Sequence, residues 1–327
     1  MRRPSDSLKV MIGQYLLCCQ AEGKSAQTVR WYAQKLAYFA SFLIAQRLPT
    51  ELGQISAEGV RSFVRHLQKQ VKADENNPRK PTADRPLSAH TVAGYVRTLR
   101  AFFSWALKEG ILGQNPMAQV KVPKVPLLQM PFFTDEEVNR LLVALRKPSP
   151  VGQRNYTMIL LLLDVGLRVS ELVHAQMRDL NLSEGYLKVS GKGSKERIVP
   201  LGRNSQKALL TYVRRIRPTA MIPAEDRVFL SCDGYPLKSD YVYKIVAQAC
   251  RAAGIEGKRL GPHTCRHTFA RSFLTNGGDL LTLQRILGHS SLEVVRLYVN
   301  LQTEDLLAQQ RRYSPMDTLM ARSSGSR

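Results

Sequence analysis

No run in this 327-residue chain is both long and apolar enough to cross a bilayer. The longest, YTMILLLLDVGL at 156–167, falls short of the roughly 20 residues a spanning helix needs and is interrupted by Asp164. The opening MRRPSDSL carries two arginines with no apolar stretch behind them, so no secretory segment is expected. Cysteine is scarce: Cys18, Cys19, Cys232, Cys250 and Cys265 are scattered and odd in number, which speaks for reduced thiols in a cytoplasmic protein and against a disulfide framework. Acidic side chains are the most telling shortage. There are 26 of them against 48 Lys and Arg, a net charge of +22. Such an excess calls for a polyanion, and with no apolar anchor the membrane surface drops out as its source.

The excess is also evenly spread. Residues 1–124 carry 19 basic and 8 acidic side chains and residues 125–327 carry 29 and 18, an excess of 11 in each part. Two equally basic parts fit one long polyanion touched by both, where a polybasic tail would have loaded one end. A hydrophobic content of 44% excludes wholesale disorder, and the length suits two domains. No internal repeat is present.

Helical periodicity dominates the first 110 residues. Val29, Tyr32, Leu36, Phe39 and Leu43 step by three and four, as do Val92, Tyr95, Leu99, Phe102 and Ala106. Ser88 reads as an N-cap and Gly110 as a stop, and shorter helices near 8–22 and 56–72 complete a small bundle. KADENNPRKPTADRP, 72–86, is a polar, proline-bearing loop. Pro116, Pro123, Pro126 and Pro131 mark an extended linker over 113–131. Thr134 with Asp135, Glu136 and Glu137 opens a second, mostly helical domain. Its one β signal is YLKVS and ERIVP around the turn GKGSK, a hairpin at 186–200. TEDLLAQQRRY, 303–313, reads as a late helix with acids first and arginines last.

Four clusters in the second domain carry candidate chemistry: Arg168 in GLRVSEL, Lys192 in GKGSKER, His263 and Arg266 in PHTCRHTFA, and His289 and Tyr298 in LGHSSLEVVRLYV. Each alone has an ordinary structural reading. Arg168 can pair with Glu171 at a helix start, Lys192 can be solvated, and Tyr298 can be a half-buried helix tyrosine. GKGSK lacks the Walker A frame. His263 and His267 are four apart, but there is no HExxH glutamate and Cys265 would face the other way, so no metal is expected.

Taken in order, the clusters resemble the tyrosine recombinase (phage integrase) family, whose pattern is Arg, Lys, HxxR, a second His, and a Tyr nine residues later. Arg168, Lys192, His263, Arg266, His289 and Tyr298 match it without a departure. The resemblance implies a mainly α fold with a small β-hairpin or sheet, arranged as a two-domain DNA clamp. It implies an N-terminal SAM-like core-binding domain at 1–112, a linker at 113–131, a catalytic domain at 132–316 and a disordered tail at 317–327. Tyr298 would be the nucleophile forming a 3′-phosphotyrosyl bond to DNA. Arg168 and Arg266 would hold the phosphate, His263 would serve as base, His289 would donate to the phosphate and Lys192 would protonate the leaving 5′ oxygen.

The residue types suit that chemistry. Planar guanidinium forks match the charge of a phosphorane-like state, and a phenol of pKa near 10 needs a cationic pocket or a base. No cofactor and no metal are implied, because the phosphotyrosyl bond conserves the energy of the bond it replaces. The partners implied are double-stranded DNA and a homo-tetramer, with helix 303–313 docking on a neighbour. Within the family, the loop at 72–86 and the tail past Ser314 favour a mobile-element integrase over an Xer-type dimer-resolving recombinase. A type IB topoisomerase and a non-catalytic DNA-binding regulator are the more distant readings.

Overall fold

The computed structural model describes residues 7–69, 86–125, 130–191, 196–256, 260–288 and positions 310, 314 and 316. The chain divides into two compact units, Met1–Leu128 and Gln129–Arg327. Each described part has its own apolar core.

The first unit contains α1 (Leu8–Ala21), α2 (Ala26–Ala45), α3 (Ala57–Lys69) and α4 (Ala89–Lys108). Ser7, Ser25 and Ser88 accept the N–H groups of Val10, Thr28 and Thr91, so three of the four helices start on a serine cap. The two expected apolar stripes face inward: Leu36, Phe39 and Leu43 from α2 meet Leu99 and Phe102 from α4. Phe63 of α3 lies 5.0 Å from Phe39 and 5.1 Å from Phe42 between ring centroids, close enough for tilted and edge contacts. Beyond α4, Leu112, Met117 and Val120 are buried in this same core, and Arg100 donates to the Val120 carbonyl at 2.7 Å. The first part of the proline-bearing stretch is therefore tied to the bundle and not free and extended. Its prolines exclude helix and strand, but its apolar side chains find a core to enter. The loop residues 70–85 lie outside the described residues.

The second unit begins with α5 (Asp135–Leu145), opened by a reciprocal cap in which Thr134 accepts from the Glu137 N–H and Glu137 from the Thr134 N–H. It continues through α6 (Pro150–Val165) and the short α7 (Val169–His174). Next come β1 (Leu180–Asn181), β2 (Tyr186–Ser190) and β3 (Glu196–Pro200), an antiparallel sheet in the order β1-β2-β3. The expected hairpin is thus present, with β1 added as a short third strand. Helices α8 (Arg203–Arg215), α9 (Ser239–Ala252), α10 (Pro262–Thr275) and α11 (Leu280–Leu287) complete the described part of the unit. The fold is mainly α with one small sheet among the described residues, as expected.

Asp164, which interrupts the longest apolar run, accepts from the Gly202 N–H at 3.0 Å and the Ser205 hydroxyl at 2.6 Å. A carboxylate on α6 thereby satisfies donors at the start of α8. Helices α6 and α11 both end on glycines in the left-handed region, Gly166 (φ 62°) and Gly288 (φ 63°). No described helix is long and apolar enough to cross a membrane.

Candidate active site

Glu171 is the centre of the site, although its side chain is only 2% exposed. Its place in the first turn of α7 lets its carboxylate accept the Arg168 N–H at 2.8 Å, satisfying a donor that the helix start leaves open. The same carboxylate accepts Arg168 Nη1 at 2.7 Å and, from β3, Arg197 Nη1 at 2.7 Å and Nη2 at 2.9 Å. Burial alone would raise its pKa. The Arg197 fork, the Arg168 N–H and the two positive charges outweigh burial and hold it below the ordinary carboxylate range. Two cations against one carboxylate leave an excess positive charge at the α7 start.

The last carbonyls of α11 gather the arginines. Ile286 O accepts Arg197 Nε at 2.6 Å, Leu287 O accepts Arg266 Nη2 at 2.6 Å and Gly288 O accepts Arg168 Nη2 at 3.2 Å. A helix C-terminus carries unsatisfied carbonyls and a partial negative charge, so three guanidinium donors there are favourable on both counts. Arg266, buried on α10, also donates to the Gly166 carbonyl at 2.5 Å. It thus ties the end of α6 to the end of α11. Gly166 permits this crowding: a Cβ there would fall 2.4 Å from the Phe269 ring and 2.9 Å from Leu287.

His263 precedes Arg266 by one turn of α10 and is exposed, with the Tyr243 ring centroid 6.4 Å away. Partial loss of water around the imidazole, then the charges of Arg266 and Arg168, push its pKa below the ordinary value. The shift favours the neutral imidazole, the form able to accept a proton. His267, one turn further, is pushed down to about 4, first by burial and then by His263 and Arg266. Cys265 is fully buried in the core. Among the described residues no three His, Cys, Asp or Glu side chains converge on a metal-sized site. A cavity of about 680 Å³ between α5, α6 and α8, lined by Leu142, Arg146, Tyr156 and Lys207 among others, includes none of these side chains.

Of the six residues singled out from the sequence, Arg168, His263 and Arg266 come together here. Lys192, His289 and Tyr298 lie outside the described residues, as does the helix expected at 303–313 apart from Gln310. Gly288, immediately before His289, is part of the cluster. Arg197 was missed, yet a signal for it existed. In the β2–β3 register Val189 faces Arg197 and Leu187 faces Val199, while Lys188 faces Ile198. Strand alternation puts Arg197 on the inner face with Val199, and Ile198 is 61% exposed. An arginine sharing the buried face of a strand needs a buried acceptor, which here is Glu171.

Comparison with known proteins agrees in both units. Residues 131–305 match the Phage integrase family and residues 14–122 the Phage integrase SAM-like domain. A protein named Tyrosine recombinase XerD from Listeria innocua serovar 6a is 33% identical over 281 residues, 85% of this chain and 89% of the relative. A Tyrosine recombinase XerD from Staphylococcus saprophyticus is 32% identical over 94% of this chain and 99% of its own. The fold is also that of a Tn1549 transposon integrase solved with transposon right-end DNA, at a TM-score of 0.73 and 18% identity, covering 94% of this chain and 99% of that one.

Proposed function

This chain belongs to the phage integrase family and is a site-specific tyrosine recombinase; from that premise we propose how its own residues divide the work of cutting and rejoining duplex DNA. Tyr298 attacks the scissile phosphorus, its phenolic proton passing to His263. The bond from phosphorus to the 5′ oxygen breaks, and Lys192 supplies the proton that oxygen takes up. The DNA 3′ phosphate is then held on Tyr298 until a 5′ hydroxyl reverses the step. Arg168 and Arg266 neutralise the charge that builds on the non-bridging oxygens, with His289 as a third donor.

The observation that carries this reading is the convergence of Arg168, Arg266 and the peptide before His289 on one helix end, beside a histidine whose pKa is pushed down. Arg168 keeps a third of its side chain exposed while Glu171 and Gly288 fix its direction, so the fork is pre-set towards an incoming anion. No metal or cofactor is required by this scheme.

The N-terminal unit, whose core takes in residues up to Val120, and the catalytic domain at 132–316 clamp the duplex between them, joined by the rest of the stretch expected as a linker at 113–131. Four copies assemble on two sites in the cytoplasm, and helix 303–313 docks on a neighbour. The polar stretch at 72–86 and the tail beyond Ser314 are additions to a compact recombinase, and we assign the chain to a mobile element on that ground. The relatives named XerD support a second reading, resolution of chromosome or plasmid dimers. Mapping covalent adducts across host DNA separates the two: adducts at the ends of an element carrying this gene support the first, a lone chromosomal site the second.

The chemistry itself is tested with Tyr298→Phe on nicked duplexes that trap the cleaved state. DNA affinity is expected to persist and the denaturation-resistant protein–DNA adduct to vanish. An adduct of wild-type yield in the variant sinks the assignment of Tyr298.

A further inference from the structure

Arg197 donates three N–H groups, all inward: two to Glu171 and one to the Ile286 carbonyl. Its side chain is 12% exposed, against 33% for Arg168. It lies flat on the Gly288 backbone, where an added Cβ would fall 3.0 Å from its Cδ and 3.1 Å from its Cζ and Nε. The left-handed φ of Gly288 and this close approach both require glycine. Arg197 and Arg168 also share one acceptor atom, Glu171 Oε1, each at 2.7 Å.

Resting on the recombinase reading above, we propose that Arg197 is a positioning residue for the strand-cleavage site: it locks β3, the start of α7 and the end of α11 together and, by occupying Glu171, sets the direction of the Arg168 fork. It touches no DNA in this role. Its place on the strand after Lys192 joins the segment carrying the proton donor to the segments carrying Arg168 and leading into His289. Glu171 accepts four short hydrogen bonds, three of them from guanidinium groups. Without Arg197 the buried carboxylate has one cation left, and the Arg168 fork turns inward to meet both its oxygens. Gly288 O and the phosphate side then lose the fork.

The test uses the full chain and a probe DNA, nicked duplexes recovered by the wild-type protein from a random-sequence pool. Arg197→Gln is expected to slow adduct formation at saturating protein by ~10- to 100-fold, the scale set by misplacing a catalytic group by about an ångström. Its affinity for the duplex stays within about twofold. Arg197→Lys recovers little, because one ammonium cannot reach Glu171 and Ile286 O together. The distinguishing readout is the double variant. Glu171→Gln added to Arg197→Gln removes the charge that draws Arg168 inward, so cleavage recovers several-fold relative to Arg197→Gln alone. If Arg197 served stability only, the second substitution would lower the rate further.

Hydrogen exchange on the DNA-free protein provides a readout that needs no substrate. Arg197→Gln should speed exchange at 168–172 and 284–288 and leave α5 and α6 unchanged. Wild-type cleavage by Arg197→Gln, no recovery in the double variant, or unchanged or uniformly faster exchange overturns the positioning role. A wild-type protein that forms no adduct with any pool sequence overturns the recombinase chemistry instead, while the exchange result still decides the lock.

Discussion

Lys192 and Arg168 are both cations, yet the roles proposed for them differ in a way that one substrate atom exposes. A sulfur in place of the bridging 5′ oxygen leaves without a proton, so it bypasses a general acid but not an oxyanion clamp. Lys192→Ala is expected to be slow on ordinary nicked DNA and largely restored on the sulfur substrate, whereas Arg168→Ala stays slow on both. Equal rescue of the two, read as adduct yield over time, removes Lys192 from proton transfer. Lys35 shows the other fate of a cation. It is buried between Trp31 and Tyr95, its Nζ 3.7 Å from the Tyr95 ring centroid, and loss of water pushes its pKa from 10.5 down to about 8. Because the folded value lies below the unfolded one, the unfolded chain binds more protons between about pH 8 and 10.5, and stability rises with pH across that window. The thermal midpoint of the wild-type protein should therefore climb from about pH 7.5 to about pH 9.5 relative to that of Lys35→Met. Parallel midpoints in the two proteins would show that Lys35 keeps its proton throughout.

Elements in this chain are fixed at their ends as much as by their apolar faces. Gly166 closes α6 in the left-handed region with Phe269 and Leu287 against it. Gly166→Ala combines a backbone cost of roughly 1–2 kcal/mol with overpacking of roughly 1–3 kcal/mol. Loss of about 2–5 kcal/mol in denaturant unfolding is the expected result, and a change under 1 kcal/mol would mean that α10 and α11 give way freely. The helical spans were legible because Leu36, Phe39 and Leu43 repeat at helical spacing and because Ser88 and Thr134 cap the first turns of their helices. The ends of α6 and α11 were less so, since what they accept comes from Arg266, Arg197 and Arg168, up to 120 residues away in sequence. Of the candidate site, the grouping of Arg168, His263 and Arg266 was legible from their two local clusters. Arg197 was not legible, because its meaning depends on a cross-strand register and a buried carboxylate on another helix. The packing of Met117 and Val120 was hidden for a similar reason: the prolines around them announce a break in regular structure but not which core lies nearby.

For the whole molecule the governing quantity is charge, +22 distributed equally between two units that each have their own core. Affinity for a duplex that rests on both units should fall with salt more steeply than that of either alone, the logarithmic slope dropping by about 0.9 for each phosphate that is no longer neutralised. Residues 1–128 and 129–327 produced separately are expected to bind a duplex more weakly than the full chain, each with a shallower slope. A piece that keeps the full slope in salt titrations by fluorescence anisotropy would assign all the phosphate neutralisation to that unit.

Across the length of the chain, tolerance of inserted residues depends on how α11 is held. Its arginines recognise backbone oxygens at 286, 287 and 288, so the side chains of Ile286 and Leu287 are not what they read. What they read is position. One residue added or deleted within α11 turns the carbonyls beyond it by about 100° and shifts them by about 1.5 Å, which unmakes three bonds from three different elements in a single event. A substitution there alters one neighbour at a time. The segment accepts a like-sized apolar exchange at Ile286 or Leu287 that keeps the core filled, but Gly288 is fixed by its φ and no change of length is accommodated, so gaps between this gene and its relatives should fall elsewhere.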